Sequence, residues 1–387
     1  MSSISADSHV VEGPGVFAGL AEKFGDEAPR VVSIDGDGDH IIIPAKGGKG
    51  INVARMGLAA TRLDRETPID RKIAHKPDVG RIEDAEIQAY FVGGYAAMRK
   101  GLVDGAKRGE DQDIDGVELE FLYPGYFAMF SMKNVELLVA LQKNYNDWLF
   151  DHCAAAKGRL YGLAAIPVQN PAVAVQELDR VIKLGYKGAV IPCNSPADWP
   201  YFDAAYDPLW ARAAEADFPI SMHVGCMSYV PKEHRANKIR DGIAQYAGAA
   251  ATIQDTLVEF LCRGVCTRHP SLKIVVAEFN AGWIAHWLDR VDQGWQREYA
   301  NNPGGPEYQP VDELWRRQFY ATIEDDQPAI LTREIIGADK LMWGSDYPHT
   351  DSTWPCSAAV LDEMFSAYPD EVKDNITRNN VMALYNL

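Results

Sequence analysis

The stretch LMWGSDYPHTDSTWP, residues 341–355, has the pattern of a short apolar strand that runs into a polar loop. Asp346 stands where the strand ends, and His349 follows three residues later. In barrels built from parallel strands, the chemistry takes place at the C-terminal ends of the strands. The stretch therefore predicts an acidic side chain, with a histidine close behind it, that acts on a ligand.

Eight segments have the character of buried parallel strands, because they are apolar, rich in β-branched residues and closed by turn or polar residues. They are SISADSHVV (3–11), GVELEFLYP (116–124), LYGLAAIPV (160–168), KGAVIPC (187–193), PISMHVG (219–225), KIVVAEF (273–279), QFYATIE (318–324) and LMWGSDYP (341–348). Helical patterns separate them from the second strand onward, at 135–156, 171–185 and 204–216 among others. This alternation predicts an α/β protein with a parallel sheet, and eight such units favour a closed (β/α)8 TIM barrel.

Residues 13–115 separate the first two predicted strands and do not fit the repeat. Within them, VVSIDGDGDHIII (31–43) predicts a β-hairpin with Asp-Gly turns, and 83–108 predicts an exposed helical stretch. We interpret 13–115 as an insertion on the catalytic face, where loops after strands project, and expect it to serve as a lid or an oligomer contact. A second polar excursion covers 226–247. The whole chain, 1–387, is predicted to be a single barrel domain.

Composition and charge narrow the class of partner. The 387 residues carry a formal net charge of -17, which argues against nucleic acid and anionic membrane and favours a small-molecule substrate. The six cysteines include no CxxC pair, and the N-terminal MSSISADSHVVEG lacks the features of a signal peptide. No apolar run is long enough to span a bilayer. We therefore expect a reduced, cytoplasmic setting.

Three of the predicted strand ends carry side chains that bind metals. Asp7 and His9 are two residues apart on the first strand, so both side chains point to the same face. His223 ends the fifth strand, and Asp346 ends the eighth. A charged pair that faces a barrel interior needs a partner, which a divalent cation supplies. Neutral imidazole and carboxylate groups suit zinc, manganese or iron.

The order D-x-H on the first strand, H on the fifth and W-G-S-D-x-P-H on the eighth resembles the amidohydrolase superfamily. The similarity is closest to its amidohydrolase-related branch, which contains metal-dependent decarboxylases of unsaturated and aromatic carboxylic acids. The pattern HPSLKIVVAEFNAGWIAHWLDRVD (269–292) is also similar to that branch, and the likeness extends over nearly the whole chain outside the insertion. The resemblance implies that Asp7, His9, His223 and Asp346 hold the metal, and we expect zinc before manganese or iron.

Two positions depart from the pattern of that branch. Val11 occupies the place of a second first-strand histidine and is followed by Glu12, while Glu278 replaces a histidine at the end of the sixth strand. A glutamate can take over proton transfer if burial raises its pKa, or it can bind metal. We therefore add Glu12 and Glu278 to the candidate metal ligands. Asp346, Glu278 and His349 are the candidate catalytic residues.

Two further groups of acidic residues lie on the predicted strands. Glu118 and Glu120 share one face of the second strand, so at least one of them should approach the barrel interior or the next layer. Glu324, Asp325 and Asp326 end the seventh strand, and we interpret them as a helix N-terminus, where acids are favoured.

Three functions fit these residues. The first is a metal-dependent lyase (decarboxylase) or hydrolase of a small carboxylated or cyclic compound, whose metal polarises substrate oxygens or activates water. The second is a dinuclear non-haem iron or manganese oxygenase on the same fold, because carboxylates beside histidines suit these metals. The third is a non-catalytic partner subunit of a hetero-oligomer, with the insertion as its interface. The resemblance implies oligomer formation, and we expect a homo-oligomer first.

Overall fold

The computed structural model of the chain describes residues 2–44, 48, 50–62, 85–229, 242–302 and 307–387. Parts of the predicted insertion, chiefly 63–84, lie outside the described residues, as do residues 230–241 of the second polar excursion.

Strands occur throughout the described residues. They are β1 Ser3–His9, β2 Arg30–Ile34, β3 Gly38–Ile42, β4 Gly50–Asn52, β5 Val117–Tyr123, β6 Leu160–Gly162, β7 Ala164–Ala165, β8 Ala189–Pro192, β9 Ile220–His223, β10 Ile274–Ala277, β11 Phe319–Ile323 and β12 Leu341–Trp343. The helices are α1 Leu20–Phe24, α2 Ala85–Ala97, α3 Lys100–Val103, α4 Gly105–Asp115, α5 Val135–Ala154, α6 Pro171–Leu184, α7 Asp207–Glu215, α8 Gly242–Ala247, α9 Ala251–Cys262, α10 Val265–Arg268, α11 Ile284–Asn301, α12 Val311–Gln318, α13 Gln327–Ile336, α14 Ser357–Met364, α15 Asp370–Asp374 and α16 Asn380–Tyr385.

The predicted parallel barrel is present, with strands in the predicted places. β1 pairs with β5 and β5 with β6, while β7 through β12 pair in chain order, and every one of these pairs is parallel. The third predicted strand consists of two short pieces, β6 and β7, that are separated only by Leu163. Backbone hydrogen bonds continue across this break, from Leu163 to Leu122 O at 2.9 Å and from Ala164 to Gly188 O at 3.1 Å. The result is the (β/α)8 TIM barrel.

The barrel closes where the end of β12 meets β1. The backbone N–H of Asp346 donates to Asp7 O at 2.9 Å, and that of His9 donates to Tyr347 O at 2.7 Å. The backbone N–H of Ser345 donates to the Ser5 hydroxyl at 2.8 Å. The motif W-G-S-D is therefore paired directly with the motif D-x-H of the first strand.

The predicted helix ends are confirmed in α6. Asn170 precedes the helix, and its side chain accepts a hydrogen bond from Val173 N, while Pro171 takes the first helical position. Gly185 ends the helix at a φ of 101°, a left-handed conformation that glycine adopts without strain. Ala174, Leu178 and Val181 point inward and pack on the barrel.

The segment between β1 and β5 contains the predicted hairpin and helices. β2 and β3 pair antiparallel from Arg30 to Ile42, and β4 adds a third strand. The expectation that 83–108 is exposed is wrong for several of its described residues, since Ile87, Phe91 and Leu102 are buried. At its C-terminal end α4 packs against the barrel, and Arg108 is buried. Whether the segment acts as a lid or an interface stays a prediction. In the described part of the chain, no helix has the length and apolar character needed to cross a membrane.

Candidate metal centre

Four side chains of ligand type converge at the C-terminal mouth of the barrel: Asp7, His9, His223 and Glu278. His223 Nε2 lies 3.3 Å from Asp7 Oδ1 and 2.9 Å from Glu278 Oε2. His9 Nε2 lies 3.7 Å and 3.4 Å from the same two oxygens. Ligand atoms that each stand about 2.0–2.2 Å from one tetrahedral or octahedral ion are roughly 3.0–3.5 Å apart. The spacing of these atoms therefore fits a single cation.

A second group overlaps the first and is formed by His9, Glu278, Asp346 and His349. Asp346 Oδ1 is 3.2 Å from His9 Nε2 and 2.8 Å from His349 Nδ1. His349 Nδ1 is 3.9 Å from Glu278 Oε2. His9 and Glu278 belong to both groups, so the eighth-strand motif adjoins the residues of the first, fifth and sixth strands.

Backbone carbonyls orient the two histidines His9 and His223. His9 Nδ1 is 2.9 Å from Pro124 O, and His223 Nδ1 is 2.7 Å from Val224 O. A carbonyl oxygen only accepts, so Nδ1 of each ring carries the proton and donates it. In both residues Nε2 is left facing the carboxylates, which is the arrangement that a metal-binding histidine uses.

Three buried atoms of these residues make no hydrogen bond of good geometry among the described residues: His9 Nε2, Glu278 Oε2 and Asp346 Oδ2. Glu278 Oε2 is nevertheless within ion-pair distance of His223 Nε2, at 2.9 Å. A buried polar atom that makes no hydrogen bond costs about 1–3 kcal/mol. All three atoms belong to residues of the two overlapping groups, and a divalent cation bound there would give these residues a shared partner. The donor set therefore fits a metal ion on geometry and on chemistry.

Thr322 on β11 connects two of these acids. Its hydroxyl donates to Asp7 Oδ2 at 2.9 Å, and the backbone N–H of Glu278 donates to the same hydroxyl at 2.8 Å. Thr322 is buried. Thr322 thus binds one oxygen of Asp7, and the other, Oδ1, faces the histidines.

The backbone is strained at the two acids that follow β10 and β12. Glu278 has a φ of 59° and Asp346 a φ of 55°, in the left-handed region that residues with a Cβ rarely occupy. Such conformations cost on the order of 1–3 kcal/mol and cluster at functional sites. Here they turn both carboxylates toward the mouth of the barrel.

Without a cation, the electrostatics of the site favour protonated groups. Burial opposes the charge on His223, but Asp7 and Glu278 outweigh it and raise its pKa to about 10. Burial also opposes the charge on Glu278, but His223 outweighs it and holds the pKa of Glu278 well below its usual range. Burial, followed by the negative charges of Glu278 and Asp351, raises the pKa of Asp346 well above its usual range. In the absence of a cation, His223 and Glu278 therefore form an ion pair, and Asp346 holds a proton more tightly than an exposed aspartate does.

Glu12 is buried but lies outside both groups. Its Oε1 accepts hydrogen bonds from the backbone N–H groups of Gly125 and Tyr126, both at 3.0 Å. This contact fixes the turn that follows β5, and Pro124 in that turn supplies the carbonyl that orients His9. The geometry gives Glu12 a role in holding the turn, and metal binding by Glu12 stays a prediction.

Two acids near the centre were not picked out by the sequence. Glu324 was interpreted with its neighbours as a helix N-terminus, but only Asp326 caps α13, by accepting from Ala329 N. Glu324 is buried, and burial followed by the charges of Asp351 and Glu278 raises its pKa well above the usual range. Asp351 has a raised pKa through burial and Glu278. The available signal for Glu324 was its position directly after β11, at the catalytic end of the barrel.

Comparison with known proteins gives the same family. The model of the family described as "Amidohydrolase" matches residues 104–387 of this chain. Among curated proteins, the chain is 30% identical over 218 residues to a gamma-resorcylate decarboxylase of Polaromonas sp. (52% of this chain, 64% of that protein). It is 27% identical over 294 residues to a gamma-resorcylate decarboxylase of Rhizobium radiobacter (71% of this chain, 85% of that protein). The chain thus spans a little under two thirds of the length of the first of these and most of the second.

Two solved structures show the same fold. One is 5-carboxyvanillate decarboxylase from Sphingomonas paucimobilis, with a TM-score of 0.67, 20% identity and coverage of 100% of this chain and 99% of the other. The second is dihydroxybenzoic acid decarboxylase from Polaromonas sp., with bound manganese and the inhibitor 2-nitroresorcinol. Its TM-score is 0.61 at 21% identity, and the match covers 75% of this chain and 88% of the other. The matched family region begins at the residue before α4 and includes β5–β12. Because it covers well over half of the chain, the chain belongs to the amidohydrolase family.

Proposed function

We propose that this chain is a metal-dependent decarboxylase of a small aromatic carboxylic acid that carries a hydroxyl group next to the carboxylate. The observation that carries the proposal is the convergence of ligand atoms at the barrel mouth, where His223 Nε2 lies 3.3 Å from Asp7 Oδ1 and 2.9 Å from Glu278 Oε2. The names of the relatives, which act on gamma-resorcylate and on 5-carboxyvanillate, support the substrate class.

The residues that would hold the divalent ion are Asp7, His9, His223 and Asp346. Glu278 lies beside them, in contact distance of the two histidines. Bound there, the ion would supply positive charge that binds and orients the carboxylate and phenol oxygens of the substrate. Zinc is the ion that we expected first from the sequence, with manganese or iron as the alternatives, and manganese is the ion in the related Polaromonas structure. We propose a divalent ion and leave the choice between these metals to elemental analysis.

The reaction needs one proton at the ring. The bond between the ring and the carboxylate breaks, CO2 leaves, and a new C–H bond forms at the same carbon. We assign this proton transfer to the pair Asp346 and His349, whose Oδ1 and Nδ1 atoms are 2.8 Å apart. Asp346 is fully buried, whereas the His349 side chain is 20% exposed and so can pass a proton between Asp346 and the substrate space.

Glu278 has a different task in this proposal. Its side chain is 13% exposed, so its carboxylate can reach the substrate space. A bound cation would displace the proton of His223, and with it the charge that lowers the pKa of Glu278 in the absence of metal. An ionised carboxylate at the mouth accepts a proton rather than donating one. We assign to Glu278 the acceptance of the phenolic proton of the bound substrate, which leaves the ring richer in electrons for protonation.

The test uses purified full-length protein with 2,6-dihydroxybenzoate and 5-carboxyvanillate as substrates, each with zinc or manganese supplied. The expected result is release of CO2 and loss of the substrate absorbance, abolished in His223→Ala and Asp346→Asn. In D2O, the product should carry one deuterium at the carbon that lost the carboxylate. Absence of turnover of both acids under both metals would overturn the proposal, and it is also the result expected for a non-catalytic partner subunit.

The overlap of two ligand groups favours one second candidate, a dinuclear non-haem oxygenase. His9 and Glu278 belong to both groups and could lie between two ions, with Asp7 and His223 on one side and Asp346 and His349 on the other. Metal stoichiometry separates the two functions. About one ion per chain with CO2 release fits the decarboxylase, and about two ions including iron, with O2 consumption, fits the oxygenase.

We also propose that the protein is a cytoplasmic homo-oligomer, with a hetero-oligomer as the alternative. Cys153, Cys193, Cys226 and Cys266 are buried thiols, as is usual in a reducing compartment. The oligomer proposal comes from the family resemblance, and the segment between β1 and β5 is its expected contact. Light scattering of the purified protein measures the oligomer, and fractionation of cells measures the compartment.

A further inference from the structure

We propose that Arg108 is a positioning residue that fixes the two strand ends on which His9 and Asp346 stand. The inference rests on the metal site proposed above. It gives helix α4, the last helix between β1 and β5, a part in the chemistry of the barrel mouth.

Arg108 bonds directly to the backbone at both strand ends. Its guanidinium is buried, with the side chain 1% exposed. Nη1 donates to the carbonyl of His9 at 3.2 Å, and Nη2 donates to the carbonyl of Tyr347 at 3.1 Å. His9 is itself a candidate ligand, and Tyr347 follows Asp346 directly in the chain. One side chain thus sets the separation between the backbone of the first strand and that of the eighth.

Glu120 on β5 holds the guanidinium in the required orientation. Arg108 Nε donates to Glu120 Oε2 at 2.8 Å, and Nη2 donates to Oε1 at 3.0 Å. This two-point contact is specific to the planar fork of arginine, since the ammonium of lysine is a single point charge. At least one of Glu118 and Glu120 was expected to approach the barrel interior or the next layer. Glu120 does so, because its partner Arg108 lies in the helix layer. Three neighbouring strands, β12, β1 and β5, therefore meet at one guanidinium.

The loop after β12 is held by the same face of α4. The Arg108 guanidinium lies 4.4 Å from the centre of the Tyr347 ring, and the Tyr347 hydroxyl donates to Asp111 Oδ2 at 2.8 Å. The backbone of Tyr347 accepts from Arg108 and from His9 N, so it cannot shift without breaking both bonds. Because Asp346 precedes Tyr347, a shift of this residue would carry Asp346 with it.

The test compares variants of this pair for metal binding and folding. Replacing Arg108 alone leaves Glu120 buried and charged, which destabilises strongly. The main variant is therefore the double substitution Arg108→Met with Glu120→Gln, and Arg108→Lys is the milder one, because lysine keeps the charge but not the fork. The matched control is Asp115→Ala, since Asp115 is buried on the same helix but accepts hydrogen bonds from Ser357, away from the ligands.

The measurements are the Mn²⁺ dissociation constant, the visible absorption spectrum of the Co²⁺-loaded protein and the melting temperature. We expect the double variant to bind Mn²⁺ about 10–100-fold more weakly and to shift the Co²⁺ spectrum, with a smaller change in the same direction for Arg108→Lys. Asp115→Ala should lower the melting temperature without changing the Mn²⁺ dissociation constant or the spectrum.

The possible failures are distinguishable. If the folded double variant, or Arg108→Lys should the double variant not fold, keeps the wild-type Mn²⁺ affinity and Co²⁺ spectrum, Arg108 is structural and this inference is overturned alone. If the wild-type protein binds neither ion, the metal site itself is overturned, and with it the inference.

Discussion

Gly344 leaves no space for a side chain beside Asp7. A Cβ atom at residue 344 would stand 2.4 Å from the Asp7 Cβ and 3.0 Å from the Asp7 nitrogen. The glycine of the W-G-S-D motif thus allows the eighth strand to approach the first closely enough for the Asp346 and Asp7 backbones to bond. The motif therefore combines a packing requirement at the glycine with a ligand at the aspartate.

Gly344→Ala should displace Asp7 and weaken the metal site. The added methyl group overpacks a buried contact, so we expect a loss of about 1–3 kcal/mol in the free energy of unfolding. The metal content of the purified Gly344→Ala protein, measured by elemental mass spectrometry, should also be lower than that of the wild-type protein. Gly294→Ala is the control, because a Cβ there meets no atom within 4 Å and α11 should gain stability, by about 0.5–1 kcal/mol. A Gly344→Ala protein with wild-type metal content and stability would contradict this account.

Thr322→Val should reduce metal affinity, because it removes the hydroxyl that donates to Asp7 and accepts from the Glu278 backbone. Residues that orient metal ligands in this way typically contribute about 10–100-fold in metal affinity or activity. Valine has the same shape as threonine, so the change tests the hydroxyl alone. Thr322→Ser, which restores the hydroxyl, should recover most of the Mn²⁺ affinity. Equal Mn²⁺ dissociation constants for the valine variant and the wild-type protein would rule out this role.

Metal affinity should rise with pH. In the metal-free site Asp7 and Glu278 raise the pKa of His223 to about 10, so this histidine carries a proton at neutral pH. A metal binds only the neutral imidazole, and binding therefore releases that proton. Asp346, whose pKa is raised well above its usual range, would lose its proton in the same way. Raising the pH lowers the cost of release, and each released proton tightens the Mn²⁺ dissociation constant about tenfold per pH unit below the pKa of the group that releases it. Calorimetric titrations in two buffers of different ionisation enthalpy measure the proton count, and a count of zero would refute the prediction.

The candidate ligand positions could be read from the sequence because they depend on local rules. Asp7 and His9 share a face through the two-residue period of a strand, and His223 and Asp346 stand where apolar runs end. Each such position points to the barrel mouth once the strands are parallel. The structure brings all four together, with Glu278 and His349 beside them.

The residues that the sequence did not reveal depend on contacts between distant parts of the chain. Arg108 lies 99 positions from His9, on a stretch predicted to be exposed, and no local period indicates such a contact. Glu324 and Asp326 are both acids after the same strand, and a cap and a buried pocket acid have the same local pattern. Only the path of the backbone decides that Asp326 caps α13 while Glu324 turns inward.

Glu12→Gln separates the two roles considered for Glu12. If its Oε1 only accepts from Gly125 N and Tyr126 N, the amide oxygen of glutamine can replace it, and metal content should stay at the wild-type level. If Glu12 binds metal, the metal content of the Glu12→Gln protein should fall below the wild-type level. Glu12→Ala is the contrasting variant, because it removes the acceptor and frees the turn whose Pro124 carbonyl orients His9, so its metal affinity should fall in either case.

The same substitution should change how stability depends on pH. Burial raises the pKa of Glu12 from 4.5 to about 7, so between these values the folded protein keeps a proton that the unfolded chain has lost. Protonation therefore stabilises the fold below pH 4.5, and this stabilisation is lost as the pH rises through 7, by on the order of 3 kcal/mol in total. Glu12→Gln cannot ionise, so its unfolding free energy minus that of the wild-type protein should increase by this amount from pH 4.5 to 8. Urea unfolding of both proteins with a chelator present measures the difference, in which the titration of all other groups cancels. A difference that does not vary with pH would mean that Glu12 is ionised in the folded protein throughout this range, held by the two backbone N–H groups against its burial.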